Sequence, residues 1–140
     1  MSVKKLNPYI HFNGTAEKAI KLYEKALGAK TESILRYGEA PGMKVPDEQK
    51  NRIMHSVLKV GGHELMVSDG EPNRPVPEGG NTDVSLEFEK PDELQKAFDA
   101  LAQGGKVTLP VQDMFWGGKL GMLSDPYGVH WILTCESKAA

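Results

Sequence analysis

Three features are scarce in this chain, and each scarcity excludes a class of protein. The single cysteine, Cys135, rules out an intramolecular disulfide framework and is typical of a reducing cytoplasm. The 17 basic and 19 acidic side chains nearly cancel, which leaves no basic surface for nucleic acid or an anionic membrane. No apolar run approaches the roughly 18 residues needed to span a bilayer. We therefore expect a cytoplasmic protein with neither nucleic acid nor a membrane as its partner.

Motifs of several common enzyme classes are also absent. The N-terminal residues 1–8 lack the apolar core of a signal peptide. The chain has no Gly-Lys-Ser/Thr phosphate loop, no Gly-rich loop for a methyl donor and no nucleophile elbow. These absences argue against nucleotide-dependent chemistry, methyl transfer and serine-hydrolase chemistry.

What the chain does contain is an internal repeat. The first half predicts a strand, a helix and three strands, with the helix between an N-cap at Thr15 and a C-cap at Gly28. The second half predicts the same order, with Pro91 opening the helix and the turn Asp125-Pro126-Tyr127-Gly128 joining the last two strands. The predicted strands span residues 6–12, 31–37, 52–60 and 64–68, then 82–89, 107–111, 119–124 and 129–135.

Each half is thus a βαβββ module, over about residues 5–70 and 80–136, joined by a segment rich in Gly, Pro and Asn. One such module leaves a sheet face uncovered, so we expect the two to pair within a single domain over residues 1–140. The predicted fold class is α+β, with two paired βαβββ modules forming a cupped mixed sheet and the helices on the outside.

A set of short segments follows the same order as in a known family. The segments are Asn7-Pro8-Tyr9-Ile10-His11-Phe12-Asn13-Gly14, Ala16-Glu17-Lys18-Ala19-Ile20 with Tyr23, Gly28-Ala29, Met54-His55, Leu65-Met66-Val67-Ser68-Asp69, Trp116-Gly117, Gly121, and Asp125-Pro126-Tyr127-Gly128 with Trp131. In this order they resemble the vicinal oxygen chelate superfamily of glyoxalase I, bleomycin-resistance proteins and extradiol dioxygenases, in its PhnB-like branch. The resemblance implies a glyoxalase/bleomycin-resistance-like fold, a cavity for a small organic molecule and a homodimer.

The resemblance also implies where a divalent metal ion would bind. The family's ligand positions fall on Asn7 or Pro8, on Met66 with Glu64 one step back, on Asp83, and on Ile132. Only Asp83 is an ordinary ligand for a hard cation, so we predict no metal ligands and no cofactor. A weak divalent site built from non-standard ligands stays open. Glyoxalase I chemistry, in which the metal polarises a carbonyl, is not expected.

The candidate site residues follow from which side chains should face the cavity. Ile10 and Phe12 are predicted to pack on the helix, which turns their neighbours on the first strand toward the cavity. The predicted ligand-binding residues are Asn7, Tyr9, His11, Met66, Ser68, Ser85 and Trp116. The candidate catalytic residues, which supply imidazole or carboxylate bases, are His11, Asp83, Glu87 and His130.

Several of these residues also have a plain structural interpretation. The histidines could be hydrogen-bonded sheet residues, Asp83 and Glu87 could lie in solvent at a rim, and Trp116 could pack at a dimer edge. His55 could face the cavity or the surface. His63 is expected to be exposed, and Trp131 and Cys135 are expected in the core.

Two classes of function remain open. The first is a binding protein that holds a small organic molecule in a sheet-lined cavity without a tight metal site. The alternative is an enzyme, such as an isomerase, a lyase or a group-transfer enzyme, that uses a weak metal site or a His or carboxylate base. The sequence does not decide whether the protein is catalytic.

Overall fold

The computed structural model describes residues 2–42, 44–77 and 80–136. It divides into two compact units, Met1–Pro77 and Glu78–Ala140, which we call module 1 and module 2. These units correspond to the two halves of the predicted repeat. Met43 in the long polar loop of module 1, and Glu78 and Gly79 in the connecting segment, lie outside the described residues.

Module 1 has the predicted βαβββ order. Its elements are β1 (Tyr9–His11), α1 (Ala16–Leu27), β2 (Lys30–Arg36), β3 (Ile53–Val60) and β4 (His63–Ser68), with two single 3₁₀ turns, Tyr37–Glu39 and Asp47–Gln49, between β2 and β3. The strands form one mixed sheet in the order β1-β4-β3-β2, in which β1 runs parallel to β4 and the other neighbours are antiparallel. The first strand is shorter than the predicted 6–12, and Leu6 is exposed.

Helix α1 is amphipathic, and its buried stripe packs on one face of this sheet. The buried residues are Ala16, Ala19, Ile20 and Tyr23. Gly28 ends the helix in the left-handed conformation (φ 65°), as predicted. Thr15 is the N-cap residue, but its side chain makes no capping hydrogen bond. Instead, the buried carboxylate of Asp69 accepts the backbone N–H of Ala16 at 2.9 Å.

Module 2 repeats the arrangement. Its elements are β5 (Val84–Glu87), α2 (Pro91–Ala102), β6 (Lys106–Asp113), β7 (Lys119–Ser124) and β8 (His130–Cys135). The sheet order is β5-β8-β7-β6, and β5 is parallel to β8. Helix α2 begins with Pro91 and buries the predicted stripe of Leu94, Ala97, Phe98 and Leu101. The fold is therefore α+β, with two mixed four-stranded sheets and one helix packed on each.

The register of the strands identifies equivalent positions in the two modules. Tyr9 pairs with Met66 between β1 and β4, and Ser85 pairs with Ile132 between β5 and β8. Since Asn7 and Asp83 each lie two residues before the first member of these pairs, they are equivalent positions. Met66 and Ile132 are equivalent in the same way. The four positions that the resemblance implies thus form two matched pairs, one in each module.

The last hairpin is held by a buried carboxylate and a close helix contact. Asp125 accepts the backbone N–H groups of Tyr127 (2.9 Å) and Val129 (3.1 Å) and the indole N–H of Trp131 (2.9 Å). Trp131 and Cys135 are buried, as predicted. A Cβ added to Gly121 would lie 2.7 Å from Cε2 of Phe98, so only glycine lets α2 pack this closely.

Neither helix in the described part of the chain has the length and hydropathy required to cross a membrane.

Candidate functional site

Each sheet has a second face, opposite its own helix, which we call the helix-free face. On β4 of module 1, Leu65 and Val67 are buried beneath α1, so Glu64, Met66 and Ser68 project to the helix-free face. Residues that pair across neighbouring strands share a face. Tyr9 therefore lies beside Met66, and His11 lies beside Ser68.

Three aromatic rings gather on the helix-free face of module 1. The ring centroids of Tyr9 and His11 are 4.4 Å apart and tilted by 33°. Those of Tyr9 and His55 are 5.5 Å apart and perpendicular. Tyr9 is 40% exposed although it is central to this group. The structure thus brings together two of the predicted ligand-binding residues and adds His55, for which the sequence left both orientations open.

The position of His55 depends on the register of three strands. Ser56 pairs with Val67 between β3 and β4, which sets His55 beside Ser68, while Ser68 pairs with His11 on β1. His11, Ser68 and His55 therefore form one row across the sheet. Ser68 is 1% exposed; its hydroxyl donates to the carbonyl oxygen of Ile53 (3.4 Å) and accepts from the amide of Gly70 (2.8 Å). Its hydroxyl is thus committed to the backbone.

A charged network lies on the same face, on the far side of the row formed by Tyr9 and Met66. The carboxylate of Glu64 accepts from Nζ of Lys5 (2.7 Å), Nζ of Lys59 (3.1 Å) and Nδ2 of Asn7 (3.1 Å). The hydrogen bond from Lys5, followed by the one from Lys59, lowers the pKa of Glu64 to about 2. The same contact raises the pKa of Lys59. Lys59 also lies 3.8 Å from Glu32 on β2.

The donor groups do not fit a tightly bound divalent ion. Among the described residues, no three His, Cys, Asp or Glu side chains come close enough together to hold a metal. In module 1 the amide nitrogen of Asn7 faces Glu64, and Met66 offers only a thioether. In module 2 the equivalent positions are Asp83 and the aliphatic Ile132. In neither module do these positions supply the three or four oxygen, imidazole or thiolate donors that a tightly bound ion needs.

The helix-free face of module 2 is more apolar than that of module 1. It carries the half-buried side chains of Leu120, Met122 and Ile132, together with Thr134, which pairs with Leu120. Ser85 and Glu87 on β5 are exposed beside these side chains. Ser85 and Glu87 thus border an apolar surface.

One row of the module 2 face carries three polar side chains. Ser124 pairs with His130. Val84 pairs with Trp131, so Asp83, one residue earlier, lies beside His130. Asp83 is exposed and His130 is half-buried. The register thus assigns Asp83 and Ser124 to the positions on either side of His130, while no hydrogen bond joins these three side chains among the described residues.

Trp116 is not part of a strand of module 2. It occupies the loop between β6 and β7, where its ring meets that of Phe115 edge to face at 5.0 Å. Phe115 is 97% exposed and Trp116 is 51% exposed. The loop is closed by hydrogen bonds from the amide of Met114 to Gly118 (2.8 Å) and from that of Gly117 to Met114 (2.9 Å). Within module 2, Trp116 is therefore on the β6–β7 loop, whereas Ser85, the other predicted ligand-binding residue of this module, is on β5.

Comparison with known proteins places this architecture in a family. Residues 5–133 match the model of the Glyoxalase/Bleomycin resistance protein/Dioxygenase superfamily. Protein YjdN of Escherichia coli is 31% identical, with 91% of this chain and 92% of that protein covered.

Solved structures agree with this match. Protein PA1353 from Pseudomonas aeruginosa is 35% identical, with a TM-score of 0.88 over 97% of this chain and 100% of that one. A "putative 3-demethylubiquinone-9 3-methyltransferase, PhnB protein" from Bacillus cereus is 28% identical, with a TM-score of 0.75 over 94% of this chain and 99% of that one. The chain therefore belongs to the Glyoxalase/Bleomycin resistance protein/Dioxygenase superfamily and, within it, is similar to a PhnB protein.

Proposed function

We propose that the chain binds a small organic molecule on its helix-free sheet surface, at the cluster of Tyr9, His11 and His55, without a tightly held metal ion. The observation that carries the proposal is the partial exposure of this ring cluster beside Met66. An exposed tyrosine flanked by two imidazoles offers a flat apolar surface together with hydrogen-bonding groups. The flexible thioether of Met66 adapts to ligands of different shape.

The surroundings of the cluster favour a planar or aromatic ligand. A flat apolar ligand can stack on the ring of Tyr9, and the ring nitrogens of His11 and His55 can form hydrogen bonds with a polar group at the edge of that ligand. The relative that is titled a methyltransferase does not extend this proposal, because the present chain has no Gly-rich loop for a methyl donor.

The proposal can be tested by a binding screen that locates the ligand. Isotope-labelled protein would be mixed with a library of small aromatic compounds while the Tyr9, His11 and His55 resonances are followed by NMR. For any hit, Tyr9→Ala should weaken binding about tenfold, since an aromatic contact is worth roughly 0.5–1.5 kcal/mol. Tyr9→Phe, the matched control that keeps the ring, should retain most of the affinity. Hits that leave these resonances unmoved, or that bind Tyr9→Ala unchanged, would contradict the proposal.

A second candidate function is acid–base catalysis at the polar row of module 2. The observation that favours it is that Asp83 and Ser124 flank His130 on one sheet face, where a carboxylate can orient an imidazole that takes up or returns a proton. Compounds found in the screen would be incubated with the protein and followed by NMR. Turnover that is lost in His130→Gln and kept in His63→Gln would support this function. Equal turnover in both variants would count against it.

We further propose a cytoplasmic homodimer in which the loop of Phe115 and Trp116 contributes to the interface. Two large aromatic side chains at this exposure are the type of residue that anchors protein interfaces. Light scattering on the wild-type chain should report twice the mass of one chain, and a monomer mass would exclude the dimer.

A further inference from the structure

We propose that the ammonium groups of Lys5 and Lys59 are built-in cations that occupy the Glu64 carboxylate in place of a divalent ion, and so close this part of module 1 to metals. This inference rests on the metal-free part of the proposed function. It adds a cause for that property and assigns a role to two lysines that sequence reasoning did not single out.

The hydrogen bonds of Glu64 are the first support. One oxygen, Oε1, accepts from Lys5 and from Asn7, and the other, Oε2, accepts from Lys59. A carboxylate offers about four lone-pair positions, so three N–H donors leave little of it for a metal ion. The side chain of Glu64 is also largely covered, at 21% exposure. A cation could reach it only by displacing the lysines.

The charges around Glu64 also disfavour the binding of a divalent ion. Two ammonium groups lie within about 3 Å of the carboxylate oxygens, at 2.7 Å for Lys5 and 3.1 Å for Lys59. They would repel an approaching divalent ion, and the carboxylate charge that could attract the ion is already compensated. The strongly lowered pKa of Glu64 reflects this compensation.

The internal repeat shows that the lysine pair is not a general consequence of the fold. Glu64 and Lys59 pair between β3 and β4, and the equivalent pair in module 2 is His130 and Ser124. Among the described residues, the side chains of His130 and Ser124 take part in no ion pair or hydrogen bond. In module 1 the carboxylate in this row thus binds two ammonium groups, whereas the equivalent pair in module 2 makes no such ion pair or hydrogen bond.

The test removes the two lysines and asks whether a metal site appears. The full chain carrying Lys5→Met and Lys59→Met would be titrated with Mn²⁺, and paramagnetic broadening of the amide resonances of Asn7 and Glu64 would be measured by NMR. We expect at least a tenfold lower midpoint than in the wild type. The matched control is Lys18→Met with Lys21→Met, which removes the same charge from exposed lysines of α1, on the other side of the sheet. Its midpoint should stay that of the wild type.

A second measurement does not depend on metal. NMR titration of the Glu64 side-chain carboxyl should give a pKa of about 2 in the wild type and a value close to the ordinary 4.5 in the double variant. A double variant that binds Mn²⁺ no better than the control, or a Glu64 pKa that does not move, would overturn this inference while leaving the proposed ligand site intact. Stoichiometric Mn²⁺ binding at Asn7 and Glu64 in the wild type would overturn both this inference and the metal-free part of the proposed function.

Discussion

The buried carboxylate of Asp69 should be one of the largest single contributions to the stability of module 1. One oxygen accepts the amide of Ala16 at the start of α1 (2.9 Å), and the other accepts the amide of Ile53 at the start of β3 (2.8 Å). Asp69 is 3% exposed, so neither amide would find water in its place. Asp69→Ala therefore leaves two donors without an acceptor.

The expected cost follows from these two contacts. A hydrogen bond to a charged group is worth about 1.5–3 kcal/mol, so Asp69→Ala should lower the free energy of unfolding by about 3 to 5 kcal/mol. Asp69→Asn keeps one acceptor oxygen and loses the charge, so about 2 kcal/mol is expected. Both losses are large against a total of roughly 5–15 kcal/mol for a typical domain.

The assay is urea unfolding followed by circular dichroism, with hydrogen exchange at the amides of Ala16 and Ile53 as a local measurement. The matched control is Glu71→Ala, an exposed acidic residue two positions away, which should change stability by less than about 0.5 kcal/mol. A loss below about 1 kcal/mol in Asp69→Ala would refute the reasoning, because it would mean that the two amides find other partners. Unchanged exchange at both amides would refute it independently.

Three further outcomes are expected. Gly121→Ala should lower the free energy of unfolding, measured in urea, by about 1–3 kcal/mol, because the new Cβ would crowd the Phe98 ring. The loss should be smaller in a Phe98→Ala background, and an equal loss in both backgrounds would contradict this explanation. The pKa of Glu64 is lowered in the folded state, so its contribution to stability is present above about pH 4.5 and is lost as the pH falls toward 2. The difference in the free energy of unfolding between the wild type and Glu64→Gln should therefore shrink over that pH range. A constant difference would be inconsistent with the ion pairs. Replacing Phe115 and Trp116 by serine should turn a dimer into a monomer in light scattering, and an unchanged dimer would place the interface elsewhere.

Local signals explain why most of the fold could be predicted from the sequence. The Asp125-Pro126-Tyr127-Gly128 turn and the alternation on either side of it gave the β7–β8 hairpin within one residue of its observed bounds. The apolar stripe of α2 was also read correctly from its helical spacing. In each case the determining interactions lie within a few residues along the chain.

Interactions between distant residues explain what the sequence did not show. Local capping rules predicted a Thr15 side-chain cap, whereas the Ala16 amide is bound by Asp69, 53 residues away. The alternation over residues 6–12 predicted a longer first strand, whereas β1 pairs with β4 only over Tyr9–His11. The contact of His55 on β3 with Tyr9 on β1 could not be predicted from either strand alone, because it depends on how both strands align with β4.

The lysine network of Glu64 was hidden for the same reason. Lys5 lies 59 residues from Glu64 along the chain, before the first regular element. The resemblance to the family identified the neighbourhood of Asn7, Glu64 and Met66, but only the assembled module shows that Glu64 already holds two ammonium groups. The sequence therefore indicated which residues would bind a metal ion, and the side-chain contacts of Glu64 explain why we propose that they do not.

The metal content of the wild-type chain tests the central claim most directly. The protein would be purified without chelator, analysed by elemental mass spectrometry and then titrated with Mn²⁺, Ni²⁺ and Zn²⁺ by calorimetry. We predict far less than one ion per chain as purified and only weak binding in the titrations, because the donor set is incomplete and the Glu64 carboxylate already binds two ammonium groups. One tightly held ion per chain would contradict it.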